Sequence, residues 1–276
     1  MLYAVLTLGG VGIFFGLLLG VAARFFAVPT DPRIEAVREA LPGANCGACV
    51  FAGCNQYAEA IVEGKAPINA CIPGGSMTAE AIAAIMGQEV EQVEPKVAAV
   101  FCRGDRRLAR DLFIYHGVAD CEHAQQYHGG FKACAYGCLG LGNCVRACPF
   151  EAITMGPEGL PLVDEEKCTG CGLCLEACPR DIIRLIPPGK QGHLVRCSSR
   201  ERGRKVSKIC EVGCTGCRVC VKACPREAIT MEDNLAVIDL EKCDDCGLCV
   251  EKCRFNAIEP RRLETADDAG PRAASA

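Results

Sequence analysis

The sequence contains no tryptophan, only four histidines, and only ten phenylalanines and five tyrosines among its 276 residues. Such a composition builds few conventional aromatic cores. Two cofactor motifs are also missing: there is no C-x2-C-H run for covalent haem, and no G-x-G-x-x-G follows a predicted strand to bind a dinucleotide. The histidines are scattered singly along the chain, which argues against a histidine-based catalytic site. We therefore expect no site for bond-making chemistry.

Strong positive charge is absent as well. The formal net charge is -4 at pH 7. Binding to nucleic acid depends mainly on lysine and arginine clusters that neutralise phosphates. We therefore expect no nucleic acid partner.

Cysteine, in contrast, is abundant, with 24 residues in the chain. This density indicates either a disulfide scaffold or thiolate-bound metal. Runs such as C-x2-C-x2-C place neighbouring sulfurs on one short loop, where they can converge on a metal cluster but cannot easily find separate disulfide partners. The spacing therefore favours metal.

The N-terminal segment predicts a membrane anchor. Residues 2–23 carry no charge, and 22 residues at ~1.5 Å each cover the ~30 Å hydrocarbon layer. A signal peptide would have a basic start and a shorter apolar core. Because positive charge follows this helix at Arg24, Arg33 and Arg38, the cysteine-rich body is expected on the cytoplasmic side, where thiols stay reduced. Three glycines recur every four residues and predict a packing face: Gly12, Gly16 and Gly20.

Two helices are predicted around the first cysteine group. Asp31 and Pro32 suit the cap and first position of a helix. The segment "SMTAEAIAAIMGQEV" predicts a second helix capped by Ser76 or Thr78, with its two methionines in the core. Four cysteines between them form a complete set for one 4Fe–4S cluster, site 1: Cys46, Cys49, Cys54 and Cys71.

From Cys121 onward the chain repeats itself, as a search for internal periods shows. Five cysteines recur 76 residues later and four recur 75 residues later. The segments "EAITM", "LPLVD" and "LAVID" have strand-like content around glycine or Asp-Asn turn signals. We predict an α+β protein with the following segments: transmembrane anchor 1–28, small helical 4Fe–4S domain 29–95, connecting segment 96–133, ferredoxin-like module 1 at 134–190, ferredoxin-like module 2 at 191–260, and disordered tail 261–276.

The spacing within each module is that of bacterial two-cluster ferredoxins, in which the fourth cysteine of each loop binds the other cluster. Three sites follow directly from this rule: Cys148, Cys168, Cys171 and Cys174 (site 3), Cys214, Cys217, Cys220 and Cys253 (site 4), and Cys224, Cys243, Cys246 and Cys249 (site 5). Zinc is the chemical alternative, but zinc ribbons use cysteine pairs rather than triplets.

The remaining cluster of module 1, site 2, lacks one cysteine. Cys138, Cys144 and Cys178 follow the pattern, but Leu141 occupies the central position. Cys134 is the nearest free sulfur in the sequence, so we predict that it substitutes; a three-iron cluster is the alternative. Four cysteines then remain, either as buried structural thiols or as a sixth site: Cys102, Cys121, Cys197 and Cys210.

The chain resembles the B subunits of Rnf complexes, which are membrane ferredoxin:NAD oxidoreductases that move sodium ions or protons. The resemblance rests on the N-terminal anchor, the first cysteine group, the segment "GGFKACAYGCLGLGNCVRACPFEAI" and a further ferredoxin pair. The resemblance covers residues 1 to about 260 and points to the long, cluster-rich form. It implies five or six 4Fe–4S clusters that take electrons from reduced ferredoxin toward partner subunits, which reduce NAD and pump ions, in a single-pass protein of the bacterial cytoplasmic membrane. Two alternatives remain: a polyferredoxin serving another membrane reductase or hydrogenase, and a membrane-tethered zinc-binding module.

Overall fold

The computed structural model describes residues 2–26, 31–90, 94–189 and 192–261. The chain begins with helix α1 (Leu2–Phe25). Its stretch Leu8–Phe25 is long and apolar enough to cross a membrane, and none of that stretch is buried against the rest of the protein. A Cβ atom added at Gly12, Gly16 or Gly20 would meet no other atom, so this stripe of the helix is uncovered. Residues 27–30, which include the end of the predicted anchor, and residues 262–276 of the predicted tail 261–276 lie outside the described residues.

A small helical unit follows, built from α2 (Pro32–Ala40), α3 (Cys54–Val62) and α4 (Gly75–Met86). Asp31 caps α2 as predicted, because its carboxylate accepts the backbone N–H of Arg33. Val37, Tyr57 and Ile82 are fully buried and bring the three helices together. Burial of this apolar surface is what stabilises helices as short as these.

The prediction for α4 was wrong in two respects. The helix begins at Gly75 without a side-chain cap, so Ser76 and Thr78 lie inside it. Met77 is 80% exposed rather than buried, whereas Met86 does pack against the helical core. Met77 and Met86 lie nine positions apart, which is two and a half turns of helix. They therefore point in different directions, and only one can face the core.

Module 1 is an α+β unit of short elements. It comprises β1 (Val97–Val100), α5 (Cys121–Gln126), α6 (Asn143–Arg146), β2 (Ile153–Met155), β3 (Pro161–Val163), α7 (Leu173–Glu176) and β4 (Ile183–Ile186). Strands β2 and β3 form an antiparallel hairpin, with Ile153 opposite Val163. Strand β1 pairs antiparallel with β4, with Val97 opposite Ile186. The predicted connecting segment therefore contributes a strand to this module.

Module 2 repeats this plan. It comprises β5 (His193–Val195), α8 (Gly203–Ile209), α9 (Val219–Ala223), β6 (Ile229–Glu232), β7 (Leu235–Ile238), α10 (Leu248–Glu251) and β8 (Ile258–Pro260). The β6–β7 hairpin turns at Asp233 and Asn234, whose φ values of 45° and 67° are those of a tight hairpin turn. Strand β5 pairs with β8, as β1 does with β4. The predicted α+β class is thus confirmed.

Two ion pairs join the modules. Arg261 contacts Glu165 at 2.7 Å, and both side chains are largely buried. Arg103 contacts Glu259 at 2.6 Å. The hydroxyl of Ser198 also donates to the carbonyl oxygen of Phe101 at 2.9 Å. The segment after β1 is therefore held between the two modules.

Candidate metal centres

The structure gathers the predicted ligands of site 1 into one place. Cys46 and Cys49 lie in the loop before α3, Cys54 begins that helix, and Cys71 follows from the next loop. Burial raises the pKa of the Cys71 thiol, and the three other thiols are close enough to add to this shift. The phenol of Tyr57 donates to Pro67 O at 2.7 Å and accepts the Ala70 N–H at 3.0 Å. This buried side chain therefore positions the loop that carries Cys71.

Sites 3, 4 and 5 also bring their predicted cysteines together. Burial raises the pKa of Cys174 to about 12, and neighbouring thiols of site 3 contribute. The four cysteines of site 4 line one cavity. At site 5, the thiols of Cys243 and Cys246 lie beside Cys249, and Cys224 belongs to the same core as Cys249. Each group has the donor set of a 4Fe–4S cluster.

Site 2 differs from the prediction. Cys121, rather than Cys134, lines the cavity that holds Cys138, Cys144 and Cys178. Burial raises the pKa of Cys144 to about 11, and the thiols of Cys121 and Cys178 add to the shift. The prediction relied on proximity in sequence, but Cys134 lines a second cavity, which Cys138 also borders and which Cys144 and Cys178 do not line.

A polar network holds Cys121 in this position. Asp120 caps α5 by accepting the backbone N–H of His123 at 2.9 Å. Its other carboxylate oxygen accepts the Asn143 amide at 2.9 Å, and Asn143 Oδ1 in turn accepts the Cys121 N–H at 2.7 Å. These bonds to His123 and Asn143 hold the pKa of Asp120 far below its usual range. Arg146 completes the network, donating to Ala119 O at 3.1 Å.

The sixth group suggested by the sequence is likewise regrouped. Cys102, Cys197 and Cys210 share a cavity, but their fourth member is Cys134 and not Cys121. Position 121 matches position 197 when the repeat is aligned by sequence alone. In the folded chain the two cysteines lie in different cavities.

The ligand pattern of these groups matches a cluster better than a single ion. Sites 1, 3, 4 and 5 each take three cysteines from one short stretch of chain and a fourth from another, which is the pattern of 4Fe–4S proteins. Zinc ribbons use cysteine pairs instead.

Comparison with known families agrees with this chemistry. An Fe-S cluster family matches residues 41–73, and two families described as 4Fe-4S dicluster domains match residues 135–185 and 206–254. These ranges contain the loops of sites 1 to 5, apart from Cys121 of site 2. The zinc-module alternative has no support from these matches.

Whole-chain relatives are more specific. The chain is 47% identical over 91% of its length to the B subunit of the Na(+)-translocating ferredoxin:NAD(+) oxidoreductase complex of Acetobacterium woodii, covering 75% of that protein. It is 44% identical over 94% of its length to the B subunit of the ion-translocating oxidoreductase complex of Methanosarcina acetivorans, covering 97% of it. It is 47% identical over 94% of its length to the B subunit of the proton-translocating ferredoxin:NAD(+) oxidoreductase complex of Clostridium ljungdahlii, covering 91% of it.

The sequence resemblance is therefore confirmed, and the N-terminal apolar helix is consistent with a membrane-associated subunit. The chain belongs to the B-subunit family of the ion-translocating ferredoxin:NAD(+) oxidoreductase (Rnf) complexes, as an iron–sulfur electron-transfer subunit.

Proposed function

We propose that this chain conducts electrons from a soluble ferredoxin to partner subunits of its complex, and that NAD reduction and ion movement occur on those partners. The ligand sets are sites 1, 3, 4 and 5 as predicted, and site 2 with Cys121 in place of Cys134. A 4Fe–4S cluster bound at each site supplies one-electron redox chemistry. The protein supplies the order and spacing of the sites.

The observation that carries this proposal is that thiols of successive sites are neighbours. Cys46 of site 1 is close enough to Cys171 of site 3 to contribute to the raised pKa of Cys171. Cys144 of site 2 likewise contributes to the raised pKa of Cys174 of site 3. In module 2, Cys220 of site 4 contributes to the raised pKa of Cys249 of site 5. Cys144 and Cys174 also belong to one hydrophobic core, and Cys220 and Cys249 belong to another. We therefore place sites 1, 3 and 2 in one row and sites 4 and 5 in a second row.

Surface charge favours site 4 as the place where the electron donor docks. Cys217 is exposed, and Arg218 and Lys252 line the same cavity. At site 5, by contrast, the exposed Cys246 directly follows two aspartates, Asp244 and Asp245. An acidic carrier protein would be attracted to the first surface and repelled by the second.

Helix α1 would place this assembly on the bacterial cytoplasmic membrane. Its last turn carries Arg24, and Arg33 and Arg38 follow in α2. Positive charge next to a span favours the cytoplasmic side. In this orientation the cysteine-rich body meets soluble ferredoxin in the cytoplasm.

The test is electron transfer from reduced ferredoxin to the full chain, purified in detergent without oxygen and followed by stopped-flow absorbance. Replacing Arg218→Glu and Lys252→Glu together should slow the second-order rate on the order of tenfold at low ionic strength, with a smaller difference at high salt. The control is Lys65→Glu with Lys167→Glu, which changes the net charge equally at two exposed lysines in other parts of the chain. Equal rates for both double variants would place the docking surface elsewhere, and no electron uptake by the unchanged chain would refute the proposal.

A further inference from the structure

Four cysteines outside sites 1 to 5 converge on one cavity between the two modules. They are Cys102, Cys134, Cys197 and Cys210. Cys102 and Cys134 are buried, while Cys197 and Cys210 are partly buried. Their positions in the sequence span more than a hundred residues, so only the folded chain brings them together.

The two modules contribute equivalent pairs. Cys102 follows the edge strand β1 by two residues, and Cys197 follows the edge strand β5 by two residues. Cys134 precedes the first loop cysteine of module 1, Cys138, by four residues. Cys210 precedes the first loop cysteine of module 2, Cys214, by the same interval. The two modules therefore line the cavity in an approximately two-fold symmetric way. Each module contributes one cysteine that follows its edge strand and one cysteine that precedes its first cluster loop.

Backbone hydrogen bonds reach both strand cysteines. The backbone N–H of Cys138 donates to Cys102 Sγ at 3.4 Å, and the backbone N–H of Ser199 donates to Cys197 Sγ at 3.4 Å. A glycine precedes each loop cysteine and lies beside the second thiol of its module. A Cβ atom at Gly137 would lie 3.6 Å from Cys134 Sγ, and one at Gly213 would lie 3.7 Å from Cys210 Sγ, both ordinary contact distances. N–H bonds to sulfur are typical of cluster ligands.

The wall of the cavity also suits an anion. Lys132 and Arg196 line it; Lys132 is only 5% exposed, and its ammonium also pairs with Asp111 at 2.8 Å. The guanidinium of Arg180 donates to the carbonyl oxygen of Cys134 at 2.6 Å. A Cβ atom at Gly104 would lie 3.1 Å from Cys210 Sγ and 3.9 Å from Cys102 Sγ. Glycine there leaves the space between thiols of different modules open.

We infer that Cys102, Cys134, Cys197 and Cys210 hold a sixth 4Fe–4S cluster that is shared by the two ferredoxin-like modules. This bridging site rests on the proposed function, and it joins the two rows of that proposal. The Cys138 N–H of site 2 donates to Cys102 Sγ, and Cys197 packs against the same hydrophobic core as Cys214 of site 4. The bridging site also explains why module 2 retains Cys210 although its own two sites are complete without it.

The test is the iron and acid-labile sulfide content of the full chain, purified in detergent without oxygen. We expect about 24 of each per chain, four for each of six clusters, and about 20 after replacing Cys197→Ala and Cys210→Ala together. The control is Ser207→Ala with Thr230→Ala, which shortens two exposed side chains of module 2 outside the cavity and should leave the content unchanged.

The outcomes are distinguishable from failure of the proposed function. About 20 iron ions in both the unchanged chain and the double cysteine variant would refute the bridging site and leave five clusters. A chain with zinc and little iron would refute both proposals. Native mass spectrometry of the unchanged chain supplies a second measurement that does not depend on the folding of the double variant: six clusters support the bridging site, and five contradict it.

Discussion

At the scale of single residues, the proposed fourth ligand of site 2 in module 1 comes from a different segment than its counterpart in module 2. Leu141 occupies the position that Cys217 holds in the other copy. Cys121 reaches the same cavity from α5, held by the hydrogen bond between its N–H and Asn143. Module 2 has Val219 at the position of Asn143, so it has no equivalent of this network.

Because Cys121 takes the place of a cysteine at position 141, we predict that a cysteine introduced at position 141 can replace Cys121 as a ligand. Cys121→Ala should remove about four iron ions per chain, or about one if a three-iron cluster remains, because site 2 then has three thiolates. Adding Leu141→Cys to that variant should restore the lost iron, since position 141 then carries the ferredoxin ligand. Iron analysis and low-temperature electron paramagnetic resonance of both variants provide the measurement.

Cys134 supplies the control for this rescue. Cys134→Ala alters the bridging cavity, so Leu141→Cys should not restore any iron that it loses. If Cys121→Ala kept all its iron while Leu141→Cys rescued Cys134→Ala, the predicted ligand Cys134 would be correct after all.

A buried cation lies between site 2 and the bridging site. Arg180 is 8% exposed and is held by the side chain of Gln125 at 2.6 Å and the carbonyl oxygen of Gly129 at 2.5 Å. Burial lowers the pKa of Arg180, whereas the thiols of Cys134 and Cys138 oppose the shift. A guanidinium starts from so high a pKa that it stays charged. Module 2 has Phe255 at the equivalent position.

We therefore expect Arg180 to raise the reduction potential of its neighbours, because a buried positive charge stabilises the additional electron. Arg180→Met should lower the potential of the affected clusters in a redox titration followed by electron paramagnetic resonance. Arg180→Lys keeps the charge and should remain closer to the unchanged chain. Arg38→Lys, at an exposed position of α2 that lies outside the network of site 2, serves as the control for effects of side-chain shape. A potential that is equal in the methionine and lysine variants would assign Arg180 a purely structural role.

At the scale of elements, the edge strands reveal the true correspondence between the modules. Strands β1 and β5 pair with β4 and β8 in the same way, and each is followed by a cysteine of the bridging site. Cys102 and Cys134 lie 32 positions apart, whereas Cys197 and Cys210 lie 13 apart. The additional chain in module 1 contains α5 and Cys121. An alignment without gaps therefore pairs Cys121 with Cys197, although their structural roles differ.

At the scale of the whole molecule, the bridging cavity exists only while the modules stay packed. The pair between Arg261 and Glu165 contributes to this, with a second contact of 3.1 Å and with Arg261 also donating to Pro187 O at 2.5 Å. Breaking a buried pair by removing one partner costs about 3–5 kcal/mol, because the other charge stays buried.

Glu165→Ala should therefore loosen the modules and make the bridging cluster the first to be lost on warming. Iron release followed against temperature measures the loss of the cluster. Limited proteolysis between the modules measures how far they have loosened. Glu166→Ala removes an exposed carboxylate at the next position and should behave as the unchanged chain does. Equal proteolysis of both variants would show that other contacts hold the modules together.

Much of this architecture could be predicted from local sequence. The α+β class, the capped start of α2 and the four hairpin strands follow from patterns within a few residues, and the structure agrees. The loops of sites 1, 3, 4 and 5 are equally local. The error at Met77 and the proposed exchange of Cys134 for Cys121 both concern which side of an element or turn faces a neighbour, and neighbours are set by tertiary packing.

Local sequence was therefore sufficient for the chemistry: thiolate loops at ferredoxin spacing and an apolar N-terminal helix. It was not sufficient to assign the remaining cysteines to their cavities, which depends on tertiary packing. Cys121 depends on a hydrogen-bond network across residues 119–146, and the bridging site depends on two modules meeting face to face. A loop motif brings its thiols together through its own backbone, whereas a ligand from a distant segment reaches its cavity only through the packing of the whole chain.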